Sequence, residues 1–384
     1  MEKKFKVITI ILFLIILFGT GIFTVLDGGQ KYSVFEKRKL ASFPKTNVQT
    51  VTKGKFQKGL DKFLNDHVLF RDGCVYTTTI VDRLMGRAEK ANVYFGKDGY
   101  LIEKSEKVKP KDVKHNVDGL TEFVNMVGDS GMCENVKVVM IPSKEYVLTD
   151  KLPSYAQVSD ENIKMKQYLW NKLSDKDTFV DLTKTLQKHK DEYIYYKTDH
   201  HWTSLGAKYG YQEIMNKMGN KPVKAIKSKV VCDDFLGTTY NKIHYAPQKD
   251  VITKYDIKTA NGCRLMYVPE KGGAISDTIY DESALKKDDK YEYFMGGNYG
   301  EIKIHTGCKN GKTLVLIKDS FANCMIPFLT SNYENIVMVD LRYINDNVSD
   351  ICAEVLDETG NIDSFVALFN EDKFMEDNHI DMMQ

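Results

Sequence analysis

An α/β fold built on a mostly parallel sheet is the fold class that this sequence of 384 residues predicts. Three short apolar runs, at 136–141, 313–318 and 335–339, have the length and aliphatic composition of strands that are buried on both faces of a sheet. Helical patterns lie between such runs, with apolar residues recurring every three or four positions. Each run ends in a polar turn, and α/β proteins bind their ligands at turns that follow strands in this way.

The first 27 residues are predicted to anchor the chain in a membrane. Residues 7–26 carry no charge and are long enough to span a bilayer, and Lys3, Lys4 and Lys6 precede them. By the positive-inside rule, the N-terminus stays in the cytoplasm and the rest of this single-pass cell-membrane protein is extracytoplasmic. A cleaved signal peptide is the alternative interpretation, although no Ala-x-Ala site precedes Asp27.

Two further segments follow the anchor. Residues 28–90 are predicted to form a polar stalk and an N-terminal helical region, whose helical pattern is interrupted near 66–73. Residues 91–384 are predicted to form the α/β domain. Within it, residues 221–306 show short polar and apolar alternations with many glycines, which is typical of a β-rich insertion.

Charge and cysteine content narrow the function classes. Lysine plus arginine (54) nearly balances aspartate plus glutamate (53), so no overall field points to nucleic acid. The seven cysteines show no Cys-x-x-Cys pair and no zinc-type spacing. An exported protein can hold one or two disulfides, but most of these cysteines are expected to be small buried residues.

Residues 197–203, Lys-Thr-Asp-His-His-Trp-Thr, form the most unusual motif of the chain. Residues 193–196 before it are aromatic and branched, which predicts a short strand. Thr203 and Ser204 after it offer N-caps to a helix over about 205–218. The motif is therefore predicted to lie in a turn between a strand and a helix.

A serine nucleophile completes the chemistry that this motif suggests. Asp199 and His201 are two residues apart, so the carboxylate can fix one imidazole nitrogen and leave the other to act as a base. Ser320 follows the apolar run at 313–318 in a turn where free N–H groups can stabilise an oxyanion. We therefore predict a Ser320–His201–Asp199 triad, in which Asn323 is a candidate for an additional oxyanion donor and substrate-binding residue. A helix of about ten residues is predicted to follow this turn, so the alternative role of Ser320 is that of a helix N-cap.

These residues resemble the motifs of a known family. Residues 198–203 resemble the signature of DHHW proteins, and 316–321 resemble the Gly-Asp-Ser block of SGNH hydrolases with Lys in place of Gly. Residues 96–101 and 340–343 also match relatives of the AlgX/AlgJ-type O-acetyltransferases of alginate. The resemblance covers about 32–343. It implies an SGNH-hydrolase-like, flavodoxin-like parallel sheet whose motif order, with the histidine before the serine, is circularly permuted.

The resemblance also implies a function. A serine-dependent O-acetyltransferase or acetylesterase would act on an exported polysaccharide through an acyl-serine intermediate, with a membrane-bound O-acyltransferase as the acyl donor. Two departures concern the substrate: His200 stands where the alginate proteins carry Thr, and the C-terminal residues are not expected to form a carbohydrate-binding module. The alternative is a non-catalytic polysaccharide-binding or assembly protein of the same fold.

The remaining candidates are polar residues at predicted strand ends. Arg342 and Tyr343 could orient a substrate carbonyl or carboxylate, or Arg342 could pair with Asp340 or Asp319. Lys144, in the loop after 136–141, is a further candidate for substrate binding. His200 could bind substrate, gate the site or point into the protein.

A metal site is the competing interpretation of the histidine motif. Asp199, His200 and His201 suit zinc or iron, but no further cluster of ligands with suitable spacing stands out. We therefore expect no metal and no cofactor.

Overall fold

The computed structural model describes residues 2–26, 31–33, 38–67, 71–223, 227–268 and 275–383. The chain divides into two compact units, residues 1–91 with 240–245 and residues 92–239 with 246–384. The predicted start of the stalk at residue 28 and part of the predicted β-rich insertion, at 224–226 and 269–274, lie outside the described residues.

The first unit is mainly helical. Its elements are α1 (Glu2–Leu26), β1 (Tyr32–Ser33), β2 (Arg38–Lys39), α2 (Val48–Thr52), α3 (Lys55–His67), α4 (Arg71–Leu84) and β3 (Glu89–Lys90). In the described part of the chain, no helix was found that is both long enough and apolar enough to cross a membrane.

The second unit contains the α/β domain. Its strands are β4 (Val93–Phe95), β5 (Leu101–Glu103), β6 (Asn135–Ile141), β7 (Phe179–Asp181), β8 (Ser228–Phe235), β9 (Asp250–Tyr255), β10 (Arg264–Val268), β11 (Ile275–Ser276), β12 (Glu301–His305), β13 (Thr313–Lys318), β14 (Asn335–Val339) and β15 (Ser364–Asn370). The helices that follow α4 along the chain are α5 (Pro110–Ser130), α6 (Lys144–Val147), α7 (Glu161–Lys172), α8 (Thr183–Gln187), α9 (Ser204–Lys217), α10 (Thr238–Ile243), α11 (Ile326–Leu329), α12 (Val348–Thr359) and α13 (Glu371–Glu376).

The described residues of this unit form an eight-stranded mixed sheet in the order β11-β10-β12-β14-β13-β15-β6-β7. The strands from β14 to β7 pair in parallel. The predicted parallel sheet is thus present, but β10, β11 and β12, from the region predicted as a β-rich insertion, extend it with antiparallel pairs. Antiparallel strands at the edge of a parallel sheet are common in α/β proteins.

Alternation along the central strand β13 divides the core between the two faces of the sheet. Leu314 and Leu316 pack on one face, with α9, α11 and a group of aromatic residues. Val315 and Ile317 pack on the other face, with α5, α7 and α12. β13 is the fifth of the eight strands in this order, so its carboxyl end lies in the middle of one edge of the sheet.

Two local predictions were wrong. Residues 193–196 form no strand of a sheet; Tyr195 makes only an isolated bridge with Trp202. The predicted helix of about ten residues after Ser320 is a 3-10 turn, Ser320–Cys324, followed by the single turn of α11. All seven cysteines lie in the described part of the chain and all are free thiols.

Candidate active site

Ser320 lies where β13 turns away from the sheet, and the preceding residue holds this turn in place. The Asp319 carboxylate accepts a hydrogen bond from the Phe321 amide at 2.8 Å through one oxygen. Its other oxygen accepts one from the Asn370 amide at 2.6 Å, at the end of the neighbouring strand β15. Asp319 therefore ties the serine turn to the sheet, and its burial raises the pKa of this carboxyl.

The histidine motif, residues 197–203, lies in a tight turn, called the histidine turn below, whose two ends are joined by backbone hydrogen bonds. The Tyr196 amide donates to the His201 carbonyl at 3.2 Å, and the Thr203 amide donates to the Ile194 carbonyl at 2.9 Å. The Thr203 hydroxyl also caps α9 by accepting from the Gly206 amide at 3.3 Å. The predicted helix and its cap are thus confirmed.

Asp250, at the start of β9, holds the backbone of this turn in place through its carboxylate. Its carboxylate accepts hydrogen bonds from the amides of Lys197 at 2.7 Å and Thr198 at 2.6 Å. It also accepts from the Thr198 hydroxyl at 2.5 Å. Asp250 lies 52 residues beyond Thr198 in a polar stretch, and nothing in the sequence distinguished it from a surface aspartate.

Ser320, His201 and Asp199 meet in a continuous series of hydrogen bonds. The Ser320 Oγ lies 2.7 Å from His201 Nε2. The His201 Nδ1 lies 2.6 Å from Asp199 Oδ1, which also accepts from the His201 amide at 2.9 Å. Since an ionised carboxylate only accepts, Nδ1 carries the proton in the neutral ring and Nε2 is free to accept from the serine hydroxyl. The residues of the predicted triad therefore lie in the arrangement that general-base activation of a serine requires.

Asp199 is buried but ionised. Burial opposes its ionisation, but the facing imidazole of His201 and the hydrogen bonds to the carboxylate outweigh this cost and hold the pKa of Asp199 well below its usual range. Its second oxygen, Oδ2, accepts from the Thr238 amide at 2.8 Å and lies 3.0 Å from the Thr238 hydroxyl. Both oxygens are thus satisfied, as a buried carboxylate requires.

Gly237 makes the approach of Thr238 possible. A Cβ atom at Gly237 would lie 2.1 Å from the Asp199 Cβ and 2.4 Å from its Oδ2. Only a residue without a side chain fits at this distance, so the backbone can reach the carboxylate.

His200 points into the same site but has different partners from His201. Its Nδ1 lies 2.6 Å from the Thr238 hydroxyl, and its ring centroid lies 3.9 Å from that of His201. Burial, together with the neighbouring His201, holds the pKa of His200 well below its usual range, so this ring is neutral at neutral pH.

Aromatic side chains pack around His201. The Tyr291 ring stacks on the imidazole with centroids 3.9 Å apart, and the Tyr291 hydroxyl donates to the Ser320 carbonyl at 3.0 Å. The Trp202 Nε1 donates to the Phe321 carbonyl at 2.8 Å. Tyr291 lies between β11 and β12, and no motif in the sequence pointed to it.

Asn323 and Arg342 lie in a polar network beside the serine turn. The Lys318 ammonium lies 3.1 Å from Asn323 Oδ1 and 3.3 Å from Asp340 Oδ2. Arg342 grips the Asp340 carboxylate with two hydrogen bonds, at 2.8 and 2.6 Å, which is the ion pair considered from the sequence. The Asn323 amide nitrogen donates to Asn298 Oδ1 at 3.1 Å.

Tyr343 and Lys144 lie in contrasting surroundings. Tyr343 is 44% exposed, and the Arg342 guanidinium lies 5.3 Å from the centre of its ring. Lys144 is buried, and its ammonium donates to the carbonyls of Asp199 at 2.7 Å and Leu101 at 2.8 Å. Burial lowers the pKa of Lys144 to about 8. Lys144 thus supports the backbone of the histidine turn.

Asp199, His200 and His201 are also the group that could hold a metal ion among the described residues, with one ligand atom from each within 4.8 Å of the others. However, Asp199 Oδ1 and His201 Nδ1 already bond to each other, and His200 Nδ1 bonds to Thr238. The donor atoms are thus directed at protein partners, and the arrangement fits proton transfer better than metal binding.

Comparison with known proteins identifies relatives of the chain. The family model of DHHW proteins matches residues 120–339. No curated protein sequence matches the chain.

Solved structures resemble the fold. A DHHW family protein from Eubacterium siraeum is 22% identical, with a TM-score of 0.59 over 77% of this chain and 95% of that one. Bacillus cereus PatB1 is 20% identical, with a TM-score of 0.59 over 75% of this chain and 97% of that one. The O-acetyltransferase domain of Pseudomonas putida AlgJ is 13% identical, with a TM-score of 0.46 over 75% of this chain and 93% of that one.

The first two structures share the mixed α/β fold with its large, mainly parallel sheet. The family model covers more than half of the sequence and includes the histidine turn and β13. The chain therefore belongs to the DHHW protein family.

Proposed function

We propose that the protein is an acyl-transferring serine enzyme that adds acetyl groups to a polysaccharide or removes them. The hydrogen-bonded series from Ser320 through His201 to Asp199, at 2.7 and 2.6 Å, is the observation that carries this proposal. A purely structural role would not require a buried, ionised carboxylate, an imidazole fixed in one tautomer and a half-buried hydroxyl to lie in one series. Catalysis by a serine requires all three.

In the first half-reaction, Ser320 Oγ attacks the carbonyl carbon of an acetyl ester. His201 Nε2 takes the hydroxyl proton, and Asp199 stabilises the imidazolium that forms. When the tetrahedral intermediate collapses, the bond from the acetyl carbon to the leaving oxygen breaks. The His201 proton passes to that oxygen, and the acetyl group remains on Ser320.

In the second half-reaction, a hydroxyl group attacks the acetyl-serine. His201 takes the proton of this hydroxyl, a bond forms between its oxygen and the acetyl carbon, and the bond to Ser320 Oγ breaks. The proton then returns to Oγ. The product is an acetylated sugar when a sugar hydroxyl attacks and acetate when water attacks, so the acceptor decides between transfer and hydrolysis.

The relatives support covalent chemistry. PatB1 has also been solved with a sulfonyl adduct. Sulfonylating reagents capture hydroxyl groups that a neighbouring base activates, and the contact between Ser320 and His201 would activate this serine in the same way.

The substrate and location are proposals that rest on the sequence. The match to DHHW proteins and the resemblance to alginate O-acetylation proteins favour an exported polysaccharide as the acceptor. The uncharged run at 7–26 with its preceding lysines favours a membrane-anchored protein whose active site lies outside the cytoplasm. A membrane-bound O-acyltransferase would then be a natural acyl donor.

The full-length chain mixed with p-nitrophenyl acetate tests the proposed chemistry. We expect a burst of p-nitrophenol with a mass increase of about 42 Da on the intact protein, as an acetyl-enzyme requires. Ser320→Ala should abolish both signals. His201→Ala should slow the burst by about a thousandfold or more, because the hydroxyl loses its base.

Ser283→Ala provides a matched control. Ser283 also lies in the first turn of a 3-10 helix whose N-cap is an aspartate, but its hydroxyl bonds to this Asp281 at 2.5 Å rather than to a histidine. If a folded protein gives neither burst nor adduct, the enzymatic proposal fails and a non-catalytic polysaccharide-binding role becomes the better account.

A further inference from the structure

We infer that His200 selects the acceptor of the acyl group: its Nε2 accepts a hydrogen bond from a second hydroxyl beside the one that attacks the acetyl-serine, so the preferred acceptor is a vicinal diol. This inference rests on the proposed acyl-serine chemistry and goes beyond it, because it assigns the second histidine of the motif a role in choosing the substrate.

The protons around Thr238 determine the tautomer of His200. The Thr238 hydroxyl has one proton and two polar neighbours, Asp199 Oδ2 at 3.0 Å and His200 Nδ1 at 2.6 Å. The ionised carboxylate has no proton to give, so the hydroxyl must donate to Asp199. The contact between His200 Nδ1 and the Thr238 hydroxyl is then a hydrogen bond only if Nδ1 carries a proton and donates it to the hydroxyl oxygen. In a neutral ring, Nε2 is therefore unprotonated and can only accept.

The exposure of the three side chains places His200 on the open side of the site. The side chain of Asp199 is 2% exposed and that of His201 is 6% exposed, whereas that of His200 is 23% exposed. Since the two imidazole rings are 3.9 Å apart, a molecule that reaches the base at His201 also meets His200. Among the described residues, Nε2 of His200 has no hydrogen-bond partner, while Nδ1 is satisfied by Thr238.

The two imidazole rings can each interact with one hydroxyl group of the same diol. His201 Nε2 takes the proton of the hydroxyl that attacks the acetyl carbon, as in the second half-reaction above. His200 Nε2 accepts from the neighbouring hydroxyl, which keeps its proton and forms no covalent bond. Adjacent hydroxyl groups on a sugar ring present two donors side by side, as this pair of acceptors requires. A simple alcohol engages only one of them.

Two small alcohols test this selection directly. The full-length chain is acetylated by p-nitrophenyl acetate in the presence of either 1,2-ethanediol or 2-methoxyethanol, and the ester and acetate products are quantified. In 2-methoxyethanol the second oxygen cannot donate a hydrogen bond. We expect the ratio of transfer to hydrolysis, counted per attacking hydroxyl because the diol has two, to be about fivefold higher with the diol, as one additional hydrogen bond implies.

Three variants connect this ratio to the proposed contacts. His200→Phe should abolish the preference for the diol, so that the ratio of transfer to hydrolysis per hydroxyl becomes about equal for the two alcohols, since a phenyl ring cannot accept a hydrogen bond from the second hydroxyl. Thr238→Val should also lose the preference, whereas Thr238→Ser keeps the hydroxyl and should restore it. Thr239→Val is the matched control, because the Thr239 hydroxyl bonds to Glu103 at 2.8 Å and contacts neither imidazole.

The outcomes separate this inference from the proposed function. A burst together with a diol preference that disappears in His200→Phe and Thr238→Val supports both. A burst with equal transfer to the two alcohols, transfer to neither, or a preference that survives in His200→Phe overturns the role of His200 alone. Absence of the burst and of the acetyl adduct overturns the proposed function, and this inference with it.

Discussion

His200 and His201 are neighbours in the chain, yet their surroundings give them different chemistry. The His201 ring lies between an ionised carboxylate at 2.6 Å and a serine hydroxyl at 2.7 Å. The His200 ring instead bonds to the hydroxyl of Thr238, and burial keeps it neutral. A single carboxylate, Asp199, orders both rings, directly for His201 and through Thr238 for His200. The motif is therefore one hydrogen-bonded unit in which the two imidazoles have different hydrogen-bond partners.

Glu145 provides a stability prediction at the scale of a single residue. The residue is 2% exposed, and burial raises the pKa of its carboxyl to about 7. Between its unfolded value of 4.5 and about 7, the folded protein binds more protons than the unfolded chain, so stability falls as pH rises through this range. Glu145→Gln removes this loss. We expect its free energy of unfolding, relative to the natural protein, to increase by about 2 kcal/mol from pH 5 to pH 8.

Urea unfolding of both proteins at the two pH values measures this difference. Gln keeps a carbonyl oxygen that can accept from the Ser105 amide, as Glu145 does at 3.0 Å, so packing should be preserved. Glu106→Gln is the control, because it makes the same chemical change at an exposed position. A difference between Glu145→Gln and the natural protein that stays constant with pH would show that Glu145 is not held neutral in the fold.

Individual residues were predictable where the type of residue and the spacing carried the information. Asp199, His201 and Ser320 are recognisable because a carboxylate two residues from a histidine and a serine after a buried strand are chemically distinctive. Asp250, Thr238 and Tyr291 were not recognisable. They act through contacts 29 to 52 residues away along the chain, and an aspartate, a threonine or a tyrosine has no distinctive pattern of its own.

At the scale of elements, the turn between β8 and α10 must approach the histidine turn closely. Gly237 makes this approach, and a Cβ atom there would overlap the Asp199 side chain at 2.1 Å. Gly237→Ala should therefore displace either Asp199 or Thr238. We expect the burst rate with p-nitrophenyl acetate to fall by about a hundredfold, as a displacement of about 1 Å in a catalytic group can cause.

Gly128→Ala is the matched control for this substitution. Gly128 lies in α5, and no atom is within 4 Å of the position that its Cβ would take. Alanine is the better helix former, so the control should leave the burst unchanged and stabilise the protein by up to about 1 kcal/mol. A Gly237→Ala protein with the full burst rate would mean that Asp199 does not need this close contact.

Continuous aliphatic runs were predicted more successfully than the aromatic segment before the histidine motif. The strands at 313–318 and 335–339 were confirmed, because continuous apolar composition leaves few alternatives to burial. Residues 193–196 were predicted as a strand because they are aromatic and branched. In the structure, these side chains are instead packed in the core, where Tyr195 and Tyr196 are fully buried. Composition alone does not distinguish a strand from a buried turn.

At the scale of the molecule, the sheet brings distant segments to one edge. Ser320 follows β13, and the histidine turn comes 119 residues earlier in the chain. The parallel strand β13 places Ser320 at this edge, as the sequence predicted. The histidine turn follows no strand of the sheet, and it reaches the same edge through contacts such as the hydrogen bond from Trp202 Nε1 to the Phe321 carbonyl. The antiparallel extension by β10, β11 and β12 could not be predicted, because the short strands of a predicted insertion carry no signal for the sheet that they join.

Locating a covalent adduct tests the central claim most directly. The full-length chain is treated with phenylmethanesulfonyl fluoride, and peptide mass spectrometry identifies the modified residue. The account predicts one modified side chain, Ser320, and almost no labelling when His201→Ala removes the base. Modification of another residue, or labelling of Ser320 that proceeds equally well without His201, would contradict the claim that these residues form a catalytic unit.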